Sequence, residues 1–451
     1  MLNDKSLLVQ RMFFACFWIL AYWGFLAELI MGNDFLSVYF ASFLLTDTLL
    51  LVMCALTIKH KFDFFIIGSY TVLSFVSTCI VNDIPVPMWI NGSRTFFGVL
   101  FVVPVLRYFW DDPARHDRFT KGMKKQMYIF LWVQTLCATM QFLQYGAGDM
   151  VGGSMGTTGY SGVLSFLIYA FSFILIRSRL DVSHFWRSIG ENWVYIFLLF
   201  PSLLNETKVS FILILLYFAL LFPLDKQFFK RILIGIPIGV AMMALVVVAY
   251  ISANKQTQGT DIGNADFLTE YLIGDFDDVE EMEGRADYAQ KLEDSSFDIP
   301  RFAKLALIPI IEEQNEGHWM SGFGVGIYKG GREMENTPFA EEYDWYIQGT
   351  SPYIMHMILQ LGILGTLWFI VFFFSLFFKK PKLFPLPDRN VHLYFLAIFF
   401  IMLFYADLWK ESMFCIGIFT FMFLSWKPSY GKIAESQDST EQVLLHEKII
   451  T

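Results

Sequence analysis

Residues 352–378 read PYIMHMILQLGILGTLWFIVFFFSLFF, without a single Lys or Arg. A bilayer core about 30 Å thick needs roughly 20 apolar residues per helix. This block exceeds that length, and 36–57 and 232–251 match it, also without Lys or Arg. Inside lipid every backbone N–H and C=O must find a partner within the chain, so such blocks are helices. Working outward, the same reading places spans near 12–31, 62–80, 95–110, 126–144, 160–177, 191–205, 207–223, 391–408 and 411–426, twelve in all. Composition agrees: 55% of the chain is hydrophobic and only 17% charged, against about a quarter in soluble domains. The first block carries no small-x-small cleavage pattern and reads as a retained span. All five cysteines fall inside apolar blocks, which predicts neither a disulfide framework nor a C-x-x-C metal site.

The basic residues set the expected orientation. With the N-terminus inside, the even-numbered turns carry Lys59 and Lys61, the cluster from Arg107 to Lys125, then Arg177, Arg179 and Arg187, then Lys226, Lys230 and Arg231, and last Lys379, Lys380 and Lys382. The short odd-numbered turns hold only Arg94, Lys208 and Lys410, each at a span edge. That is the positive-inside pattern. It survives only if 191–223 makes two crossings, turning at Asn205-Glu206. Both termini are then cytoplasmic, and 252–350 lies outside.

The expected organisation follows. Residues 1–251 carry spans 1–9, 252–350 form a large extracytoplasmic loop domain, 351–427 carry spans 10–12, and 428–451 are a polar cytoplasmic tail. The loop domain holds 21 of the 42 acidic residues and only seven basic ones. Residues 299–313 within it are helix-capable. The fold class is therefore an all-α polytopic membrane protein of about twelve helices with one large outer domain. No internal repeat or inverted pair of broken helices is visible.

No P-loop, G-x-S-x-G, H-E-x-x-H or EF-hand pattern is present. The candidate chemistry lies on the predicted outer side. Asn205-Glu206-Thr207-Lys208 forms a tight turn that puts a cation and a carboxylate close to membrane level; an ordinary interfacial hairpin fits equally. Arg285, Arg301 and Lys304 are basic residues in an acidic domain. Arg301 and Lys304 share one helix face, and Arg suits bidentate recognition of phosphate; surface salt bridges are the alternative. Gly322, Gly324 and Gly326 lie in a G-x-G-x-G run whose backbone can approach a ligand closely, or simply turn. Pro352 suits the first turn of a helix, and His356 falls about one turn in, as a catalytic or a structural residue. Arg94 is a weaker candidate at the outer end of span 4.

Together these features resemble the Wzy-type polysaccharide polymerases and O-antigen ligases. The likeness covers most of the chain in architecture: about twelve spans, with one large outer loop before the last three. In motifs it rests on Lys208 just after a tight turn, on the Gly run following an Arg-bearing helix, and on Ser351 to Gly365, shaped like the family's H-N-x-x-L-x-x-L-x-x-x-G-x-x-G. Two departures stand out. Lys208 replaces the family's usual Arg. Ser351-Pro352 replaces the His-Asn pair, with His356 five residues late, which tilts the reading from ligase toward polymerase.

The resemblance implies a GT-C-like glycosyltransferase bundle in the bacterial inner membrane. It implies joining of undecaprenyl-diphosphate-linked oligosaccharide repeat units into an O-antigen, capsule or exopolysaccharide at the outer face, without cofactor or metal. Lys208 and Arg301 would bind the diphosphate, with Arg285 and Arg94 in reserve. Glu206 and His356 would serve the acceptor hydroxyl, and Trp319 and Trp345 would stack on sugars. A flippase and a chain-length regulator are the implied protein partners; nucleic acid is not. Three alternatives stay open: a ligase acting on an acceptor, a transporter or channel, for which Asp47 near the middle of span 2 is the one mid-span charge, and a non-catalytic assembly protein.

Overall fold

A computed structural model of the chain describes residues 4–31, 35–146, 150–157, 160–181, 183–205, 209–222, 301–315, 318–327, 337–343, 351–378 and 386–424, with a few isolated positions besides. The expectations for the span at 232–251, for Glu206, Lys208, Arg285 and Trp345, and for the tail after 427 lie outside the described residues.

Helices make up the described regular structure, and no strand occurs among the described residues. In chain order they are α1 (Asp4–Met31), α2 (Phe35–Thr57), α3 (Lys61–Phe75), α4 (Val86–Ser93), α5 (Phe97–Trp110), α6 (Pro113–Tyr145), α7 (Ser161–Arg177), α8 (Phe185–Glu191), α9 (Trp193–Phe197), α10 (Pro201–Leu204), α11 (Val209–Leu221), α12 (Arg301–Gln314), α13 (Pro338–Glu342), α14 (Tyr353–Phe378), α15 (Leu386–Tyr405) and α16 (Ser412–Leu424). Four helical stretches among the described residues are long and apolar enough to cross a bilayer: Lys5–Met31, Lys61–Val81, Val86–Trp110 and Tyr353–Leu376. Six shorter apolar helices accompany them, at Ala41–Thr57, Ser161–Arg177, Trp193–Leu204, Ile212–Leu221, Asn390–Tyr405 and Ser412–Leu424.

Hydrophobic pattern decides who sits where. α7 and α16 are apolar on every side, and such helices belong in the middle of a bundle. Both are buried along almost their whole length and pack on each other, with α5 and α1 against α16 and α6 and α11 against α7. Large apolar side chains such as Phe65, Val72, Leu143 and Val371 remain exposed on outer helices. A continuous exposed apolar surface of this kind suits contact with lipid.

Three departures from simple spans matter for the site. The fourth span begins near Val86 rather than at 95, through α4 and a 3-10 turn at Arg94–Phe96. Arg94 therefore lies inside the span, not at its end. Between 185 and 204 the chain forms three short helices instead of one crossing. Pro201, which has no N–H to give to the preceding turn, starts the last of them. Finally, α14 is broken at Gly362, whose φ of 64° and ψ of −165° are not helical.

The break is filled by the segment 318–326. In an intact helix Ile363 and Leu364 would donate to Leu359 and Gln360. Here Ile363 N–H donates to Trp319 O (2.8 Å) and Leu364 N–H to Met320 O (3.4 Å). The vacated carbonyls of Leu359 and Gln360 accept from Phe323 (2.7 Å) and Gly324 (3.0 Å). The loop thus restores every backbone bond that the kink removes, which a non-helical segment at membrane depth must do. A π-helical turn, Val76–Val81, closes the other side of the loop. Ser77 Oγ donates to Ser321 O (2.6 Å), Asn82 Nδ2 to Gly322 O (2.9 Å), and Thr78 Oγ1 accepts from Val325 N–H (2.9 Å).

Candidate functional site

The described part of 252–350 packs on α14. Ala303, Leu307, Ile308 and Ile311 of α12 form one apolar cluster with Phe323, Phe339, Tyr343 and Tyr346 and with Met355 and Leu359 of α14. The expected helix over 299–313 is α12, and its N-terminal turn is the part that carries Arg301 and Lys304.

Both cations are buried: Arg301 is 8% exposed and Lys304 is 0% exposed. Arg301 lies over the Tyr405 ring, its guanidinium carbon 4.1 Å from the centroid. Lys304 Nζ donates to Ser351 Oγ at 3.2 Å, at the foot of α14. One turn into that helix, His356 Nε2 lies 3.1 Å from Asp407 Oδ2. Asp407 sits in the turn 406–411 between α15 and α16, two residues beyond Tyr405, and also pairs with Lys410. The charges of Lys304 and Lys410 both reach His356. Arg301, Lys304 and His356 are thus brought to one place.

Arg94 joins from the other side. Its Nη2 pairs with Asp47 Oδ2 of α2 at 2.8 Å, and Nε donates to the same oxygen at 2.9 Å. The mid-span carboxylate is therefore neutralised within the bundle, as buried charge must be. The turn bearing Arg94 packs on the turn 408–410. Glu411, next in that turn, lies 3.5 Å from the Tyr160 hydroxyl just ahead of α7. Asn205, the first residue of the tight turn, is buried beside α7, donating to Ser161 O (2.8 Å) and Ser165 Oγ (2.8 Å).

The result is a cluster of charged groups, Arg94, Arg301, Lys304 and Lys410 with three carboxylates and one imidazole, around the turn 406–411. The two carboxylates of the turn differ in state. Burial opposes ionisation of Asp407, but Lys410 and His356 overcome it and hold the carboxyl well below the usual range. Burial pushes Glu411 up, with Lys410 opposing and Asp407 adding to the rise.

Gly322, Gly324 and Gly326 all adopt positive φ, 69°, 95° and 91°. Their close approach is to the chain's own backbone. A Cβ on Gly322 would come within 2.5 Å of Gly362 N, and one on Gly326 within 2.7 Å of Met88 O. Trp319 is 37% exposed, and its carbonyl binds the broken helix.

The sequence reading left out Asp407, Lys410 and Glu411 as site residues, treating them only as a turn. Their grouping with Lys at short spacing on the outer side was the signal available. It also left out a wedge at 150–157, which enters the bundle between α1, α6 and α7. There Gln141 accepts from Gly153 N–H (2.7 Å), Gln134 from Ser154 N–H (2.8 Å) and Glu28 from Thr157 N–H (2.7 Å). Gln134 and Gln141, seven apart on one face of an apolar helix, could have announced it.

No model of a known protein family and no curated protein matches this chain.

Proposed function

We propose that the protein is a membrane glycosyltransferase that joins undecaprenyl-diphosphate-linked oligosaccharide repeat units into a surface polysaccharide. The observation that carries this reading is that Lys304 and Lys410 meet at His356 and Asp407, with Arg301 on Tyr405 two residues before Asp407 and the turn of Arg94 packed on the turn 408–410. Arg94 and Lys410 are held by Asp47 and Asp407, and cations fixed in a poorly hydrated place attract a further anion more strongly than they would in water. A lipid diphosphate offers that anion at membrane level. When the anomeric C–O bond breaks, its electron pair goes to the diphosphate, and preorganised cations stabilise charge that develops in the transition state. The positive-inside pattern favours an outer-face position for this cluster, and the resemblance to Wzy-type polymerases implies a reaction on that face of the inner membrane.

The pairing of Asp47 with Arg94 speaks against a transporter reading, because among the described residues the one mid-span carboxylate is held by a cation. A second reading is supported by His356. A histidine held by a carboxylate at the start of the re-entry helix also suits an O-antigen ligase. Deleting the gene separates the two. The polymerase reading expects the glycan ladder on a gel to collapse to single-repeat units. Accumulation of long lipid-linked chains would make the protein a ligase, and an unchanged ladder would remove both readings.

A further inference from the structure

The site contains three carboxylates, and two are already committed to cations. Asp47 is held by Arg94, and Asp407 by Lys410 and His356. Glu411 makes no ion pair within 4.0 Å among the described residues; its contact is the Tyr160 hydroxyl at 3.5 Å. It is half-buried, at the point where the turn 406–411 meets α16. The charged and titratable groups that act on it come from several elements: Asp47 of α2, itself paired with Arg94 of the 3-10 turn before α5, Tyr160 from the approach to α7, Asp407 and Lys410 from its own turn, and Cys415 from α16.

We propose that Glu411 is the general base that takes the proton from the acceptor sugar hydroxyl. This assignment rests on the glycosyl-transfer reading. The acceptor O–H proton passes to a Glu411 carboxylate oxygen. The freed lone pair forms the new bond to the donor's anomeric carbon. The old anomeric C–O bond breaks, its electrons leave on the polyprenyl diphosphate, and Arg301 and Lys304 meet that charge. Glu411 then loses its proton to water when the lengthened chain moves on. Tyr160 positions the carboxylate. Burial, Asp407 and Asp47 raise the affinity of Glu411 for a proton, with Lys410 and Tyr160 opposing, and a base held closer to neutral pH transfers protons more effectively. Two neighbouring acids with environments that push them apart, Asp407 down and Glu411 up, are a recurrent mark of acid–base assignment.

Lipid-linked oligosaccharide extracted from the gene-deleted host is the probe, and the full-length protein in proteoliposomes is the enzyme. E411Q should elongate about 100- to 10,000-fold more slowly while retaining lipid-linked donor in native mass spectrometry. The base must be ionised, so the wild-type rate should fall as pH drops through the Glu411 ionisation, and E411Q should lose that limb. E411D, which keeps the carboxylate, should keep the limb at a shifted position. It decides the matter if E411Q does not fold. Active wild type with E411Q at a similar rate and profile, or with E411D showing no shift, removes the base assignment alone. Wild type that does not elongate removes the glycosyl-transfer reading and the assignment with it.

Discussion

Arg301→Ala is expected to slow chain elongation by about 100- to 1,000-fold, the usual cost of removing one preorganised donor to a developing oxyanion. Arg301 is buried, and its guanidinium carbon lies 4.1 Å from the Tyr405 ring centroid. A guanidinium offers a fork of N–H donors that can meet two oxygens of a phosphate. Charge on the diphosphate grows as the anomeric bond breaks, so the loss should fall more on kcat than on KM. Arg301→Lys keeps the charge but neither fork nor stack, and should lie between wild type and alanine. The stack itself contributes about 0.5–2 kcal/mol, too little to unfold the bundle. Initial rates on extracted lipid-linked oligosaccharide, with thermal midpoints alongside, check this. An alanine variant elongating within a few-fold of wild type would take Arg301 out of the site.

The second large effect is on folding. Gly362→Ala should prevent assembly of a stable bundle. The φ and ψ of Gly362, 64° and −165°, fall where essentially only glycine is found, and other residues there cost about 1–3 kcal/mol. A Cβ would also sit 2.4 Å from Met320 C and O, in the backbone of the loop that fills the break. Relieving that clash means separating the two segments, which puts the four exchanged backbone bonds at risk at about 1 kcal/mol each. Gly68→Ala is the control. Gly68 lies inside α3 with open space around its Cα, and alanine there should gain about 1 kcal/mol of helix propensity. Size-exclusion profiles and thermal midpoints in detergent distinguish the two. A Gly362→Ala protein as monodisperse and as stable as wild type would show that the break is incidental.

The architecture was legible wherever a physical length applies. Among the described residues most of the long apolar blocks are helices, four of them long and apolar enough to cross a bilayer, while 191–205 is divided into short helices, and Pro352 did mark the entry to the helix that carries His356. The helix over 299–313 followed from local composition and was found at Arg301–Gln314. What local composition cannot carry is pairing across the chain. Nothing in the text near 407 says that its carboxylate meets His356, about fifty positions earlier, or that Asp47 meets Arg94. The glycines of 322–326 announced close backbone approach but not its object, which is a helix break at Gly362 and the turn at Met88. The fourth span, expected at 95–110, starts near Val86. Gly92 is there because Gly326 N would lie 2.2 Å from any Cβ at that position.

The central claim is that fixed side-chain charge in this cluster drives transfer from a lipid diphosphate. Its most direct test is elongation by the purified, reconstituted protein on lipid-linked oligosaccharide extracted from the gene-deleted host, with and without EDTA. The account predicts a ladder of lipid-linked chains of increasing repeat number that forms equally well in both conditions, because Arg301, Lys304 and their neighbours supply the charge. Absence of any chain longer than the starting unit, or a ladder lost with EDTA and restored by a divalent ion, would contradict it.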